Sequence, residues 1–571
     1  MSAFASLGRQ PNIQDYCYPH PVEQLLAGPV EASSFKFSID NSVFTPSSVF
    51  LGLHPSEYIV ARGLYQLKVH RGLCIINNAH QLLCGKLYPI VTSSAESLPT
   101  IAVPNDTEPL FEGPEIDPIF PKHATVIELS NWAVGIDNLG FYMPRLAKLY
   151  KRLELGHTFE FVQKGEDACS TNYFDEKTLR VLDSACRQME RVVVFGVPNS
   201  GKRTFCKALM NSTMVYGKRP VAYLDLDPSS IDGNNPGCLS LRVLRKPVFG
   251  EFFFWGEDDL TEDHTHRYYG FSSFTDKPEL YLRSCDELLQ HYATNLEPKG
   301  IPLVVRFPSW IKGYGKELLM EFSRTLKPKK MVYLTHNDAL SLDKFEPDAF
   351  EETDHPDYDV LSGFHIKDTT IVRGVRRARA FTKQELLLRN KLLYFHQTTR
   401  RDFDFVRPLL HIAPVKFSFD HVSAISVLNI EADEDISKQD AFSLIEATIV
   451  GIFTVKNLPS VPKNFYLSGS KLTGLDYSYV GLCMVHLVEN RERTFNIHLR
   501  DEDYVSEKII HAKQNGHSVV LARGEGEIPP VEFTNGLSGE FSNVPYVSTD
   551  QMQKLGGIWK IRRNIGRKNQ G

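Results

Sequence analysis

The sequence predicts an α/β protein: a P-loop core on a parallel sheet, flanked by a β-rich N-terminal domain and a mixed, β-rich C-terminal domain. Three observations carry that expectation. Val192-Val193-Val194-Phe195 is a continuously apolar run leading into Gly196-Val197-Pro198-Asn199-Ser200-Gly201-Lys202, and a helix-like segment follows. Apolar strands and amphipathic segments alternate through the middle of the chain, as a parallel sheet covered on both faces requires. Short β-type runs crowd the chain before residue 145 and return after 405.

The elements follow in order. Residues 1–30 carry Pro11, Pro19, Pro21 and Pro29 and read as loose chain. Tyr58–Val60, Gly63–Val69, Leu73–Ile76 and Ala124–Leu129 are β-rich runs. They place a β domain over 1–145. Residues 146–190 read as mostly helical and lead into the core, which runs to 405. Its strands are expected at Arg191–Phe195, Val221–Leu226, Leu303–Phe307 and Met331–Leu334. Thr204–Met210 and Lys316–Arg324 are the helices between them. Ser443–Phe453 and Val519–Ala522 are the strands expected in a C-terminal domain over 406–571.

A length of 571 residues suits three or four domains, and 42% hydrophobic content suits real cores. The net charge of −5 sets 64 basic against 69 acidic side chains, so any basic surface must be local. The nine cysteines form no Cys-x-x-Cys pair, which points to a reduced interior without a structural zinc site. No basic-then-apolar leader opens the chain, and no apolar run has the length of a membrane span. Nucleus or cytosol is the expected compartment.

The loop is where the chemistry starts. Gly196 and Gly201 let successive N–H groups turn inward at an anion, and Lys202 adds a charge for the outer phosphates. The helix that follows points its N-terminus at the same place. The pattern G-x-x-x-x-G-K-[ST] is complete except at its last position, where Arg203 stands in place of the hydroxyl that holds magnesium. Thr204 is one step further round the helix. Val221–Asp227 is a second apolar strand ending in carboxylates, and Asp227 suits a metal or an attacking hydroxyl.

Further signals lie outside the loop. Arg306-Phe307-Pro308-Ser309-Trp310-Ile311-Lys312 sets an aromatic beside cations at a strand end, which suits stacking on a base and contact with phosphate; packing is the competing reading. Arg373, Arg376, Arg377 and Arg379 fit either a lid over a transferred phosphoryl group or a solvated face. The basic tail Lys554, Lys560, Arg562, Arg563, Arg567 and Lys568, with Trp559 inside it, fits RNA, an acidic protein surface or an import signal. Glu257–Asp259, Glu262, Asp263, His264 and His266 have no metal-site spacing and read as a solvated loop.

Together these motifs resemble the polynucleotide 5′-hydroxyl kinase family, in its nucleolar, pre-rRNA-processing branch. The likeness rests on Gly196–Thr204, Tyr223–Pro228, Pro236–Leu241, Tyr269–Ser273, Trp310–Gly315, Gly63–Val69 and the tail Ile558–Asn564. It implies a β domain, a P-loop kinase core and a C-terminal domain. It also implies transfer of the ATP γ-phosphate to a 5′-hydroxyl RNA or DNA end, with ATP and magnesium as cofactors. By position, residues 196–204 would hold nucleotide, with Lys202 on the phosphates. Asp227 would be the general base and, with Thr204, the magnesium side of the site. Trp310 and Lys312 would clasp the nucleic acid. Arg376 and Arg379, with Arg389 a further candidate, would form the lid. The branch implies a hetero-oligomer with an endonuclease that cuts an internal transcribed spacer, docking through the basic tail, in the nucleolus and away from membranes. The chain departs from the family at Arg203, at Ser229-Ser230 in place of Gly-Gln, and at Ser309 in place of Gly. Those departures define a rival: a nucleotide-binding scaffold of the same complex.

Overall fold

The computed structural model describes residues 26, 28–105, 120, 122–150, 156–164, 170–187, 191–231, 235–251, 264–336, 369–373, 381–398, 402–430, 436–458, 460 and 463–533. Arg376, Arg377, Arg379, Glu257–Asp263 and the basic tail lie outside them.

The N-terminal unit is a nine-stranded sheet. Its hub is Tyr58–Arg71, whose near-alternating burial is that of a strand with one face on a core. This strand pairs with Leu87–Thr92, Thr100–Ala102, Thr125–Asn131 and Phe159–Phe161, all antiparallel. The last pairing carries the unit past the boundary expected at 145. Phe159 fills the same core as Tyr65 and Ile127. Among its described residues the segment 146–190, expected to be mostly helical, holds that strand and one regular helix, α1 (Glu176–Arg187), after a turn at Pro144–Leu146.

The central unit follows with β1 (Arg191–Gly196), α2 (Lys202–Val215), β2 (Val221–Asp225), β3 (Cys238–Leu244), β4 (Thr265–Tyr268), α3 (Pro278–Asn295), β5 (Leu303–Arg306), α4 (Tyr314–Leu326), β6 (Lys330–Thr335), β7 (Thr369–Arg373) and α5 (Lys383–Phe395). The sheet order is β4-β3-β2-β5-β1-β6-β7. The strands from β2 to β7 are parallel, while β3 and β4 form an antiparallel edge. The four strands expected from the sequence all form. The edge strands were not anticipated, because their short runs carry no helix between them. Strand periodicity splits β1 between two cores: Val193 and Phe195 face α3 and α4, while Val192 and Val194 face α1 and α2. This fixes the carboxyl ends of β1, β2 and β5 side by side, where open parallel sheets place their sites.

The C-terminal unit is a six-stranded mixed sheet. Thr448–Val455 lies at its middle, and Ala424–Val427 is the one strand paired in parallel, with Ser518–Glu527. The strand expected over Ser443–Phe453 is divided. Ser437 and Asp440 form a reciprocal capping box that starts a helix over Lys438–Ile445, and the strand begins only at Thr448. The sheet joins the α3 face of the central core through Phe453 and Met484.

Candidate active site

The loop after β1 has the backbone that its glycines were expected to allow. Gly196 (φ 150°), Asn199 (φ 63°) and Gly201 (φ 85°) all take positive φ. A Cβ on Gly196 would lie 2.1 Å from the Leu334 carbonyl oxygen, so only glycine lets β1 leave the sheet beside β6. Gly201 caps α2, and Lys202 opens it.

Lys202 is buried and turned back into the loop. Its Nζ donates to the Gly196 carbonyl (2.9 Å), the Val197 carbonyl (2.8 Å) and Ser309 Oγ (2.8 Å). Burial pushes its ammonium down to about 7, and the Arg306 guanidinium adds to the fall. Ser309, a departure from the family pattern, is thus the third partner of the phosphate lysine.

The strand ends facing the loop carry a buried charge cluster. Arg306, the last residue of β5, reaches two acids at the end of β2. Its Nη1 donates to both oxygens of Asp225 (3.0 and 2.8 Å), and its Nη2 donates to Asp227 Oδ2 (2.6 Å). Ser230 Oγ donates to Asp225 Oδ2 (2.6 Å), and the Asp227 amide donates to Asp225 Oδ1 (3.1 Å). Ser229 donates to Asp227 Oδ1 from its amide (3.0 Å) and its hydroxyl (2.6 Å). The two serines that replace Gly-Gln therefore each hold a carboxylate. Burial works to raise the Asp227 carboxyl, but Arg306 and then Ser229 outweigh it and hold it below its ordinary value. Sequence reasoning placed Arg306 beside nucleic acid. The structure instead sets it opposite Asp225 in the β2–β5 ladder, a pairing that no local sequence signal marks.

Arg203 points to another domain. Its Nη1 lies 2.9 Å from Glu96 Oε1, while Lys207 Nζ takes Glu96 Oε2 at 2.9 Å and the Gly250 carbonyl at 3.1 Å. Glu96 belongs to the N-terminal unit, so one carboxylate ties that unit to the first turns of α2. Burial would raise Glu96, but Lys207 and Arg203 hold it down at about 2. Nearby, Arg389 is buried rather than poised over the site. It donates to Glu251 Oε2 (2.9 Å) and to the Tyr150 hydroxyl (3.3 Å). As a lid candidate it is corrected: α5 turns it inward, and Glu251 receives it.

A cavity of about 530 Å³ joins these parts. Ser200–Thr204, Asp227, Ser309 and Lys383 line it from the core, and Ser93, Glu96, Asn172 and Tyr173 line it from the N-terminal unit. Its size suits a nucleotide-sized ligand. Trp310 and Lys312 are not among its lining residues. Trp310 is 42% exposed and its ring lies 4.8 Å from that of Phe274; Lys312 is exposed beside it. Trp310 follows Ser309 directly and Lys312 comes after the buried Ile311, so the exposed positions begin where the cavity wall ends.

The donor set does not fit a magnesium ion held by the protein. Three of the about four acceptor positions of Asp227 are taken, and Asp225 is fully engaged. A divalent ion on Asp227 Oδ2 would stand about 5 Å from the guanidinium, a repulsion of about 7 kcal/mol at an effective dielectric constant of ~20. Position 203 offers no oxygen, and Thr204 lines the cavity one residue further along α2. Among the described residues no cluster of His, Cys, Asp or Glu could hold a metal elsewhere.

Residues 196–397 match the family of the mRNA cleavage and polyadenylation factor CLP1 P-loop. Proteins named polynucleotide 5′-hydroxyl-kinase GRC3 resemble the chain along nearly all its length. The one from Debaryomyces hansenii is 26% identical, covering 94% of this chain and 88% of its own. The one from Saccharomyces cerevisiae is 23% identical, covering 93% and 89%. The chain is thus similar, over nearly its whole length, to proteins named as polynucleotide 5′-hydroxyl kinases. A solved structure of Clp1p with Pcf11p, in a glycine-to-arginine point mutant concerned with ATP loss, shares the fold. Its TM-score is 0.51 at 13% identity, covering 84% of this chain and 99% of that one.

Proposed function

We propose that the chain is an ATP-dependent polynucleotide 5′-hydroxyl kinase that phosphorylates 5′-hydroxyl RNA ends during processing of a pre-rRNA internal transcribed spacer, in complex with an endonuclease and in the nucleolus. One observation carries the reading: the Lys202 cradle and Asp227 line one cavity, and the wall that ends at Ser309 continues directly into exposed Trp310 and Lys312. A nucleotide in the cavity would present its last phosphate beside Asp227, with the RNA end entering along Trp310. Lys202 would release Ser309 to meet the phosphates. Asp227 keeps one acceptor position for the 5′-hydroxyl proton. Arg376 and Arg379 are the proposed lid. Magnesium would come as a counter-ion of the nucleotide, held by phosphates and water. The basic tail is the proposed dock for the nuclease. Among the described residues no helix is long and apolar enough to cross a membrane.

The test is transfer of labelled γ-phosphate to a 5′-hydroxyl RNA oligonucleotide, with and without the nuclease. Wild type should transfer. Lys202→Ala should lose on the order of 100-fold or more, the usual loss when a phosphate or oxyanion contact is removed. Absence of transfer by wild type in both settings rejects the reading. The Arg306 contact on Asp227 favours a second one, a nucleotide-binding scaffold of the same complex. That reading predicts spacer cleavage intact in Lys202→Ala and no transfer by wild type.

A further inference from the structure

We infer that Arg306 takes over the charge role of a protein-held magnesium, so that this chain binds the phosphate chain of a nucleoside triphosphate with an affinity independent of divalent cations. In an ordinary P-loop the ion is held between the hydroxyl after the lysine, the phosphate oxygens and a neighbouring acid. Here both protein sides of that bridge are closed. The hydroxyl position is Arg203, which is committed to Glu96. The acid side is answered by a guanidinium that is itself fixed from behind: Asp225 receives Arg306 on both oxygens, and Ser230 donates to Asp225 while accepting from Arg306 at 3.0 Å. Arg306 is therefore a built-in cation, planar and permanently charged.

The cavity's charge is consistent with this. Arg203, Lys207, Arg306 and Lys383 line it, joined by Lys202 when that amine is protonated, against Glu96, Asp227 and Glu251 among the described residues. Fixed positive charge in excess of fixed negative charge suits a polyanion that arrives without its own counter-ion. Ordinary sites with several acids facing the phosphates need the ion to offset repulsion. This site has offset its acids internally.

The inference rests on the nucleotide site proposed above but not on phosphoryl transfer. It is tested by calorimetric titration of the full-length protein with ATP, once with magnesium and once with EDTA. The expected dissociation constants agree within about threefold, under 1 kcal/mol. Binding that weakens by about tenfold or more in EDTA overturns the inference and leaves the kinase reading standing. No ATP binding in either medium rejects both. The double variant Asp225→Asn, Arg306→Asn removes the buried pair as a unit. It should bind ATP about tenfold or more weakly in EDTA and recover with magnesium; an equal affinity in both media would overturn the assignment to Arg306. Should the variant fail to fold, the wild-type comparison alone decides.

Discussion

Two arginines line one cavity, and their surroundings differ. The Arg306 side chain is 7% exposed, lies at a strand end and serves two acids of its own sheet, one of them wholly buried. The Arg203 side chain is 24% exposed, lies on the first turn of α2 and shares one acid of another domain with Lys207. The first arrangement closes a site on itself. The second fastens a neighbouring unit to the wall of that site. Burial separates them: a charge with no water beside it must be matched within its own fold, whereas a half-wet charge can afford a partner across a seam. The departures from the family pattern divide the same way. Ser229 and Ser230 serve the closed cluster, and Arg203 serves the seam.

The sharpest way to break the comparison is to remove one buried arginine. Arg306→Ala leaves Asp225 buried without its main partner. Loss of one member of a buried pair costs about 3–5 kcal/mol. Denaturant unfolding should show that loss, and Asp225→Asn in the same chain should recover much of it. A loss under about 1 kcal/mol would mean that the cluster is wet and that the two arginines do not differ.

Glu96→Gln probes the seam and should cost less, about 1.5–3 kcal/mol for hydrogen bonds to charged groups, since the pair is partly solvated. Its pH signature is separate. The folded Glu96 carboxyl is held at about 2 against an ordinary 4.5. Its contribution is therefore complete above pH 4.5 and is lost as the pH falls toward 2. Stability curves of wild type and variant should converge over that window. If they stay parallel, Lys207 and Arg203 do not hold Glu96 in its charged form.

The two regions were also unequally legible. The P-loop strand, its glycines and Lys202 announce themselves because local backbone geometry demands them in a fixed order. Asp227 was readable as an acid at a strand end. Arg306 was not readable as its partner, because strands β2 and β5 are 81 residues apart at the pair Asp225–Arg306 and become neighbours only through sheet order. Glu96 carries no motif at all; it acquires a role only when the N-terminal sheet packs on α2. The antiparallel edge β3–β4 was missed for a similar reason, since short apolar runs do not name their neighbours. The helix over Lys438–Ile445 was missed although its capping box, Ser437 and Asp440, stands in the sequence.

Taken per pH unit, the smallest effect lies between the two arginines, at Lys202. Its ammonium is lowered to about 7 from an ordinary 10.5, first by burial and then by Arg306. The unfolded chain therefore binds a proton that the folded chain has released between pH 7 and 10.5, and Lys202 makes stability rise with pH across that window. Nucleotide binding has the opposite sign. Phosphate oxygens favour the charged amine, so binding above pH 7 should take up a proton. Affinity should fall by up to about tenfold per pH unit as the pH rises from 7. Calorimetry in buffers of different ionisation enthalpy counts that proton directly. Uptake near zero at pH 8 would show that Lys202 is already charged without nucleotide. The strong field of Arg306 would then end at the carboxylates, and the cradle and the charge cluster would be independent neighbours rather than one electrostatic unit.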